Sequence, residues 1–199
     1  MNKIFLTVFG ATALFATFAA VAADAYPDVV NDPVFGPDGQ LEQPQGFRRW
    51  VFIGSPLTPN ALNDGSAGFP EFHNVYVEPA ALDHYRATGA WPEGTVLVKE
   101  LQLTAPGRDS DGSRVEASGR GYFPAALNGL DVSVKDSRRF ADTNGWGFFN
   151  FGHHAPPYAA AAAAAPREAC AACHAAAGHE DMVFVNFYQH LRSVPAAVR

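Results

Sequence analysis

Residues 94–104 read GTVLVKELQLT and form the longest strand-like run of the chain. Side chains alternate across a strand, so Thr95, Leu97, Lys99, Leu101 and Leu103 share one face. Val96, Val98, Glu100, Gln102 and Thr104 share the other. The first face is the more apolar, which predicts that it points into the core. Lys99 sits in the middle of it, and a lysine is almost never fully buried without a partner. Two readings of the residues stay open. Its stem lies on the core while the head reaches water, or the head pairs with a carboxylate.

Other strands follow from the same logic. Trp50 to Gly54, HNVYVEP from His73, VEASGRGYFPA from Val115, LDVSVKDSRRF from Leu130 and WGFFNFG from Trp146 are apolar or alternating runs between turn residues. Leu130, Val132 and Val134 share a face. AALDHYRATG reads as a short helix stopped by Gly89, and helices cluster toward the C-terminus. Ala159–Ala165 is expected to be a short helix ending before Pro166. A second runs from Arg167 to Ala177, opened by Pro166 and closed by Gly178. Asp181 is expected to cap a last helix with Phe184, Phe187, Tyr188 and Leu191 along one stripe. Strands joined by turn-rich links, with segregated helices, indicate an α+β fold, mostly antiparallel sheet.

The chain opens with Met1-Asn2-Lys3, an apolar run to Val21, and two A-x-A sites. This is the pattern of a secretory signal peptide over residues 1–22, with cleavage somewhere in 22–25, and implies a periplasmic protein with no membrane attachment after cleavage. Residues 23–46 read as an extended arm, and 47–199 as a single domain. With 14 Lys and Arg against 20 Asp and Glu, the charge argues against a nucleic-acid partner. It is compatible with docking a basic electron-transfer protein. Eighteen glycines, fifteen prolines and sixteen phenylalanines suggest turns around an aromatic core.

Only two cysteines occur, and residues 170–174 read CAACH. In an exported chain, C-x-x-C-H is the attachment signature of one c-type haem. Cys170 and Cys173 on one helical turn reach the two vinyl groups, and His174 places a ring nitrogen on the iron. A thioredoxin-like motif would want a βαβ context, and zinc would want further ligands. A second axial ligand is harder to find. Met182 is too close to His174 to reach the opposite side of the haem, and reads as core packing. His84, His179 and His190 read as surface residues; His153 and His154 as loop or haem-edge residues. The distal position is therefore expected to be open or to hold water, which suits small-molecule binding better than plain electron transfer.

Several motifs occur together and in order: SPLTPNALNDG from Ser55, FPEFHNVYVEP from Phe69, TGAWPEGTVLVKEL from Thr88, GYF at Gly121–Phe123, VKDSRRF from Val134, and CAACH followed by DMVFVNFY. The set resembles the cytochrome P-460 family, which includes the β-type cytochromes c′, over Phe47 to Arg192. The resemblance implies a periplasmic, mostly β mono-haem c-type cytochrome, usually a homodimer. It also implies a covalent link from Lys99 to the haem ring in hydroxylamine-oxidising members. Burial lowers an amine's pKa and makes it the nucleophile such a bond needs. Those members turn hydroxylamine into nitrous oxide and pass electrons to a soluble cytochrome c. This chain departs from them in two places. His73 stands where a distal arginine is expected, and Ala165 where a distal carboxylate is expected. Glu71 or His73 is the candidate substitute in proton transfer; the alternative is an ordinary surface pair. Phe69 and Phe72 are candidates for an apolar distal pocket. With such a pocket and no working proton relay, the chain would instead capture nitric oxide, like a β-type cytochrome c′.

Overall fold

The computed structural model describes residues 32–192. The segment read as a signal peptide lies outside them. In chain order the strands are β1 (Leu41–Glu42), β2 (Val51–Gly54), β3 (Phe72–Val77), β4 (Val96–Thr104), β5 (Arg114–Glu116), β6 (Gly119–Gly121), β7 (Pro124–Lys135), β8 (Trp146–Asn150) and β9 (Ala161–Ala162). The α-helices are α1 (Pro79–Thr88), α2 (Ala171–Ala177) and α3 (Gln189–Arg192). The fold is α+β and mostly antiparallel. Five strands pair in the order β2-β3-β4-β7-β8, which puts β4 at the centre.

That central place explains why the 94–104 pattern misleads. Both faces of the sheet are covered. Leu97 and Leu101 are buried on one side, as expected, but Val96, Val98 and Glu100 are buried on the other. A strand covered on both sides has no solvent face for its pattern to reveal. The first core holds Val75, Val77, Leu97, Trp146 and Phe148 with α1 and the C-terminal segment. The second holds Val96, Val98, Leu130, Val132, Val134 and Phe149 with Leu41, Phe47 and Trp50. The described end of the 23–46 arm lies against this second core, with Leu41 fully buried.

The helix expected from AALDHYRATG is α1. Glu78 caps it by accepting from the Ala81 N–H at 2.7 Å, Pro79 fills its first turn, and Gly89 ends it at φ 75°. Other expectations are corrected. The longest strand is β7, with 12 residues, not β4 with 9. VEASGRGYFPA is a hairpin of β5 and β6 followed by the start of β7. Ala159–Ala165 is not a helix: Ala161–Ala162 pairs with β1, and Ala164 bridges to Phe149. A seven-residue alanine run is too short to hold a helix alone, and small side chains let its backbone join the sheets instead. The helix expected from Arg167 begins only at Ala171, after a turn in which the Ala169 N–H donates to Pro166 O. Asp181 caps nothing. It has φ 45° and pairs with Lys135, and the segment after it is a 3-10 turn (Val185–Phe187) followed by α3. Tyr188 and Leu191 are buried but Phe187 is exposed, so the expected single stripe does not form. Among the described residues, no helix is long and apolar enough to cross a membrane.

Candidate functional site

Cross-strand partners share a face, so the ladder defines rows of side chains across the sheet. On the first-core face one row runs Val77, Leu97, Ser133, Phe148. The next runs Val75, Lys99, Asp131, Asn150. The third contains His73, Leu101 and Gly129. Lys99 occupies the middle row.

The C-x-x-C-H segment docks beside the first row. Cys170 immediately precedes α2, and Cys173 and His174 lie within it. Both thiols are free; Cys173 is exposed and Cys170 half-buried, and burial pushes the Cys170 thiol up. The His174 ring lies 4.4 Å from the Phe148 ring and 4.8 Å from that of Phe184. Its Nδ1 is 2.8 Å from the Met182 carbonyl oxygen. Only a protonated Nδ1 can donate to a carbonyl, so the neutral ring keeps its lone pair on Nε2, the arrangement of a metal-ligating histidine. Burial holds the imidazole below its ordinary value, and the Lys99 charge adds to this. The carbonyl is aimed by two consecutive non-glycine residues at positive φ, Asp181 at 45° and Met182 at 63°. Such a backbone is costly for L residues and is kept only where surroundings fix it. Met182 itself is core packing, as expected; the useful atom is its carbonyl.

In the middle row Lys99 Nζ lies 2.9 Å from Asp131 Oδ2 and 3.9 Å from the centroid of the Phe69 ring. Asn150 Nδ2 donates to Asp131 Oδ1 at 2.7 Å and holds the carboxylate in place. Of the two readings open from the pattern, the protein side chains provide the carboxylate.

The remaining candidates lie in the third row and beyond it. Glu71, just before β3, is 2% exposed. Its Oε1 accepts from Asn128 Nδ2 at 2.8 Å and lies 2.8 Å from His153 Nε2. Its Oε2 is buried with no partner among the described residues. His73 Nε2 lies 3.1 Å from the Phe69 carbonyl oxygen, and burial lowers its pKa, so the ring is neutral around pH 7. The Phe69 ring is 5.8 Å from His73 and 6.1 Å from His153. Glu71, His73, Phe69 and Lys99 are thus brought together, and Glu71 is no surface residue. Phe72 is not part of this group. It pairs with Gln102, which gives it the opposite parity, on the face of Asn74 and Tyr76. Ala165 packs against the first core and donates its N–H to Phe148 O at 2.7 Å.

The family model for Cytochrome P460 matches residues 44–185. The chain belongs to the cytochrome P460 family. No curated protein matches the sequence.

Haem is the cofactor that membership in the cytochrome P460 family brings, and the donor set suits it. Two thiols precede, within one turn, an imidazole whose free nitrogen is Nε2. Aromatic rings line that imidazole, and a buried Glu71 oxygen has no partner among the described residues. Among the described residues no three His, Cys, Asp or Glu side chains converge on one point as a zinc site would need. Asp131, Asn128 and the Met182 carbonyl escaped the sequence reading. Asp131 is Lys99's ladder partner, but the long connection between β4 and β7 hides that register. Asn128 is the extra residue of a bulge, since Leu101 pairs with Gly129 while Gln102 pairs with Leu127. A bulge re-aims a side chain without leaving a periodic signature.

Proposed function

We propose that this chain is a periplasmic mono-haem c-type cytochrome that oxidises hydroxylamine at a haem with an open distal position. In this reading Cys170 and Cys173 would hold the haem through thioethers, His174 Nε2 would ligate its iron, and Lys99 would bond to the ring. The observation that carries it is the place of Lys99. It stands on the sheet between His174 on one side and Glu71 with His73 on the other. Bound haem would supply the redox iron of this reaction, with a soluble cytochrome c as the electron acceptor. Two hydroxylamines give one nitrous oxide and one water, and release four protons and four electrons.

The chain's own residues handle the protons. Glu71 Oε2, buried and unpartnered, accepts a proton from substrate nitrogen or oxygen. His73, kept neutral by burial, orients the substrate by hydrogen bonding. Phe69 covers part of the Lys99 ammonium, with its ring centroid 3.9 Å from Nζ. A homodimer, as the family resemblance implies, is part of the proposal.

A second reading, nitric oxide capture without turnover, is favoured by the Lys99–Asp131 ion pair, because a charged amine is no nucleophile. Purified holoprotein decides between them. A reduced Soret band far to the red of an ordinary c haem, together with hydroxylamine turnover on an artificial electron acceptor, supports the enzyme. An ordinary band with tight nitric oxide binding and no turnover supports capture.

A further inference from the structure

Glu71 is sealed from water, yet a base that accepts protons from repeated turnovers must pass them on. Its only protonatable hydrogen-bond partner among the described residues is His153, at 2.8 Å from Oε1. The His153 side chain is 43% exposed, against 2% for Glu71. One carboxylate therefore has an unpartnered oxygen turned inward and a bonded oxygen joined to a ring that reaches solvent. We propose that His153 is the proton exit of the site, carrying to bulk water each proton that Glu71 accepts. The proposal rests on the haem-site reading above and extends it by one residue.

The surrounding structure is built for this contact. Asn128 donates to the same Oε1 and fixes the carboxylate. Gly129 follows it, and a Cβ there would come within 3.3 Å of His153 Cδ2 and 3.2 Å of Gly152 O. A glycine lets the His153 loop lie this close to β7 without the loop giving way by a few tenths of an ångström. The ionisable groups that act on neighbouring His73 of β3, besides Glu71, are Lys99 from β4 and Asp131 from β7. Lys99 and Asp131 occupy each other, and His73 bonds a carbonyl. None of them offers Glu71 a direct route outward.

The transfer needs no oxidant. A proton moves from substrate to Oε2. The acid so formed gives a proton to Nε2 of a His153 ring that holds its own proton on Nδ1, Glu71 returns to the carboxylate, and the imidazolium sheds its Nδ1 proton to bulk water. Exchange with solvent restores the starting tautomer, so charge and proton count balance over a cycle.

The test uses holoprotein and two readouts. The first is hydroxylamine turnover against pH. The second is association of cyanide with the ferric protein, since hydrogen cyanide must give up its proton on binding; release to bulk is followed with an indicator dye. His153→Gln keeps a donor toward Glu71 but carries no proton, and His153→Ala leaves space for free imidazole. Both variants should slow turnover and cyanide association by about tenfold to a hundredfold, within the range of general acid–base effects. Imidazole in solution should restore His153→Ala and not His153→Gln. If His153→Gln matches wild type in rate and pH profile, or imidazole restores nothing, the exit is elsewhere. If wild type turns over no hydroxylamine, the enzyme reading fails, while the cyanide measurement still decides for or against His153.

Discussion

Lys99 and Asp131 face each other directly across the β4–β7 ladder, with ammonium and carboxylate 2.9 Å apart. Each side chain is about three-quarters buried, so the charges hold each other inside the sheet's first-core face. The pair defines the chemical question of the site, because an amine must give up its proton before it can bond to a porphyrin carbon. Asp131 is the nearest acceptor for that proton.

Peptide mass mapping of the holoprotein should yield one fragment joining the β4 strand to the Cys170–Cys173 segment through a single porphyrin. In Lys99→Ala and Lys99→Arg that fragment should contain the cysteine segment alone, and the reduced Soret band should return to the position of an ordinary c haem. Lys99→Ala should cost about 1–3 kcal/mol, since it leaves the mostly buried Asp131 carboxylate without its charge partner, and Lys99→Arg less. A wild-type digest in which every β4 peptide is free of porphyrin would rule out the bond.

His73 gives a pH signature. Burial lowers its pKa from 6.5, so the folded chain binds its proton less readily than the unfolded chain does. Its neutral form costs nothing above pH 6.5, where it is neutral in both states. Below that value the unfolded state takes the proton first, and stability declines as the pH falls toward the folded-state pKa. Denaturant unfolding measured from pH 7.5 down to pH 5 should show this slope, and His73→Gln should flatten part of it. An identical slope in the variant would assign the effect to other groups.

The architecture was legible where the chain repeats a simple period. Leu130, Val132 and Val134 alternate on one face of β7, and α1 carries its cap and its terminating glycine in sequence. The C-x-x-C-H segment was legible because it is local: Cys170, Cys173 and His174 need only one turn of chain. The surroundings of Glu71 were not, because they depend on register. Glu71 meets Asn128 across 57 residues and His153 across 82, through a bulge and a loop. The alanine run at 159–165 misled for a related reason. Its intrinsic preference for helix is weak over seven residues, and pairing with Leu41–Glu42 overrides it.

On the opposite face, Glu100 is buried and its carboxylate is held by Arg48, whose own side chain is half exposed. The Glu100 hydrogen bond raises the Arg48 pKa, so the arginine stays charged at every working pH. Arg48→Ala should cost about 2 kcal/mol in denaturant unfolding, less than for a fully buried pair because water reaches the arginine side. Arg48→Ala combined with Glu100→Gln should recover part of that loss, since no buried charge is left unpaired. The haem spectrum should not change in either variant, because the pair lies across the sheet from Lys99. A double variant no more stable than the single one would mean that packing, not charge, sets the cost.

Gly129 is where stability and the proposed proton exit meet. A Cβ at this position would lie 3.0 Å from Leu101 Cδ1, 3.2 Å from Gly152 O and 3.3 Å from His153 Cδ2. The leucine methyl can rotate away, but Gly152 O accepts the Leu130 N–H at 3.1 Å, so the loop backbone cannot withdraw without stretching a ladder bond. Gly129→Ala should therefore destabilise the fold by about 1–2 kcal/mol, the usual cost of overpacking. It should also push His153 off Glu71. Thermal unfolding of the holoprotein checks the first effect. For the second, proton release during cyanide binding should slow as it does in His153→Gln, with the Soret band unmoved. Gly129→Ala protein that is destabilised yet releases protons at the wild-type rate would separate the loop's packing from proton transfer and count against His153 as the route.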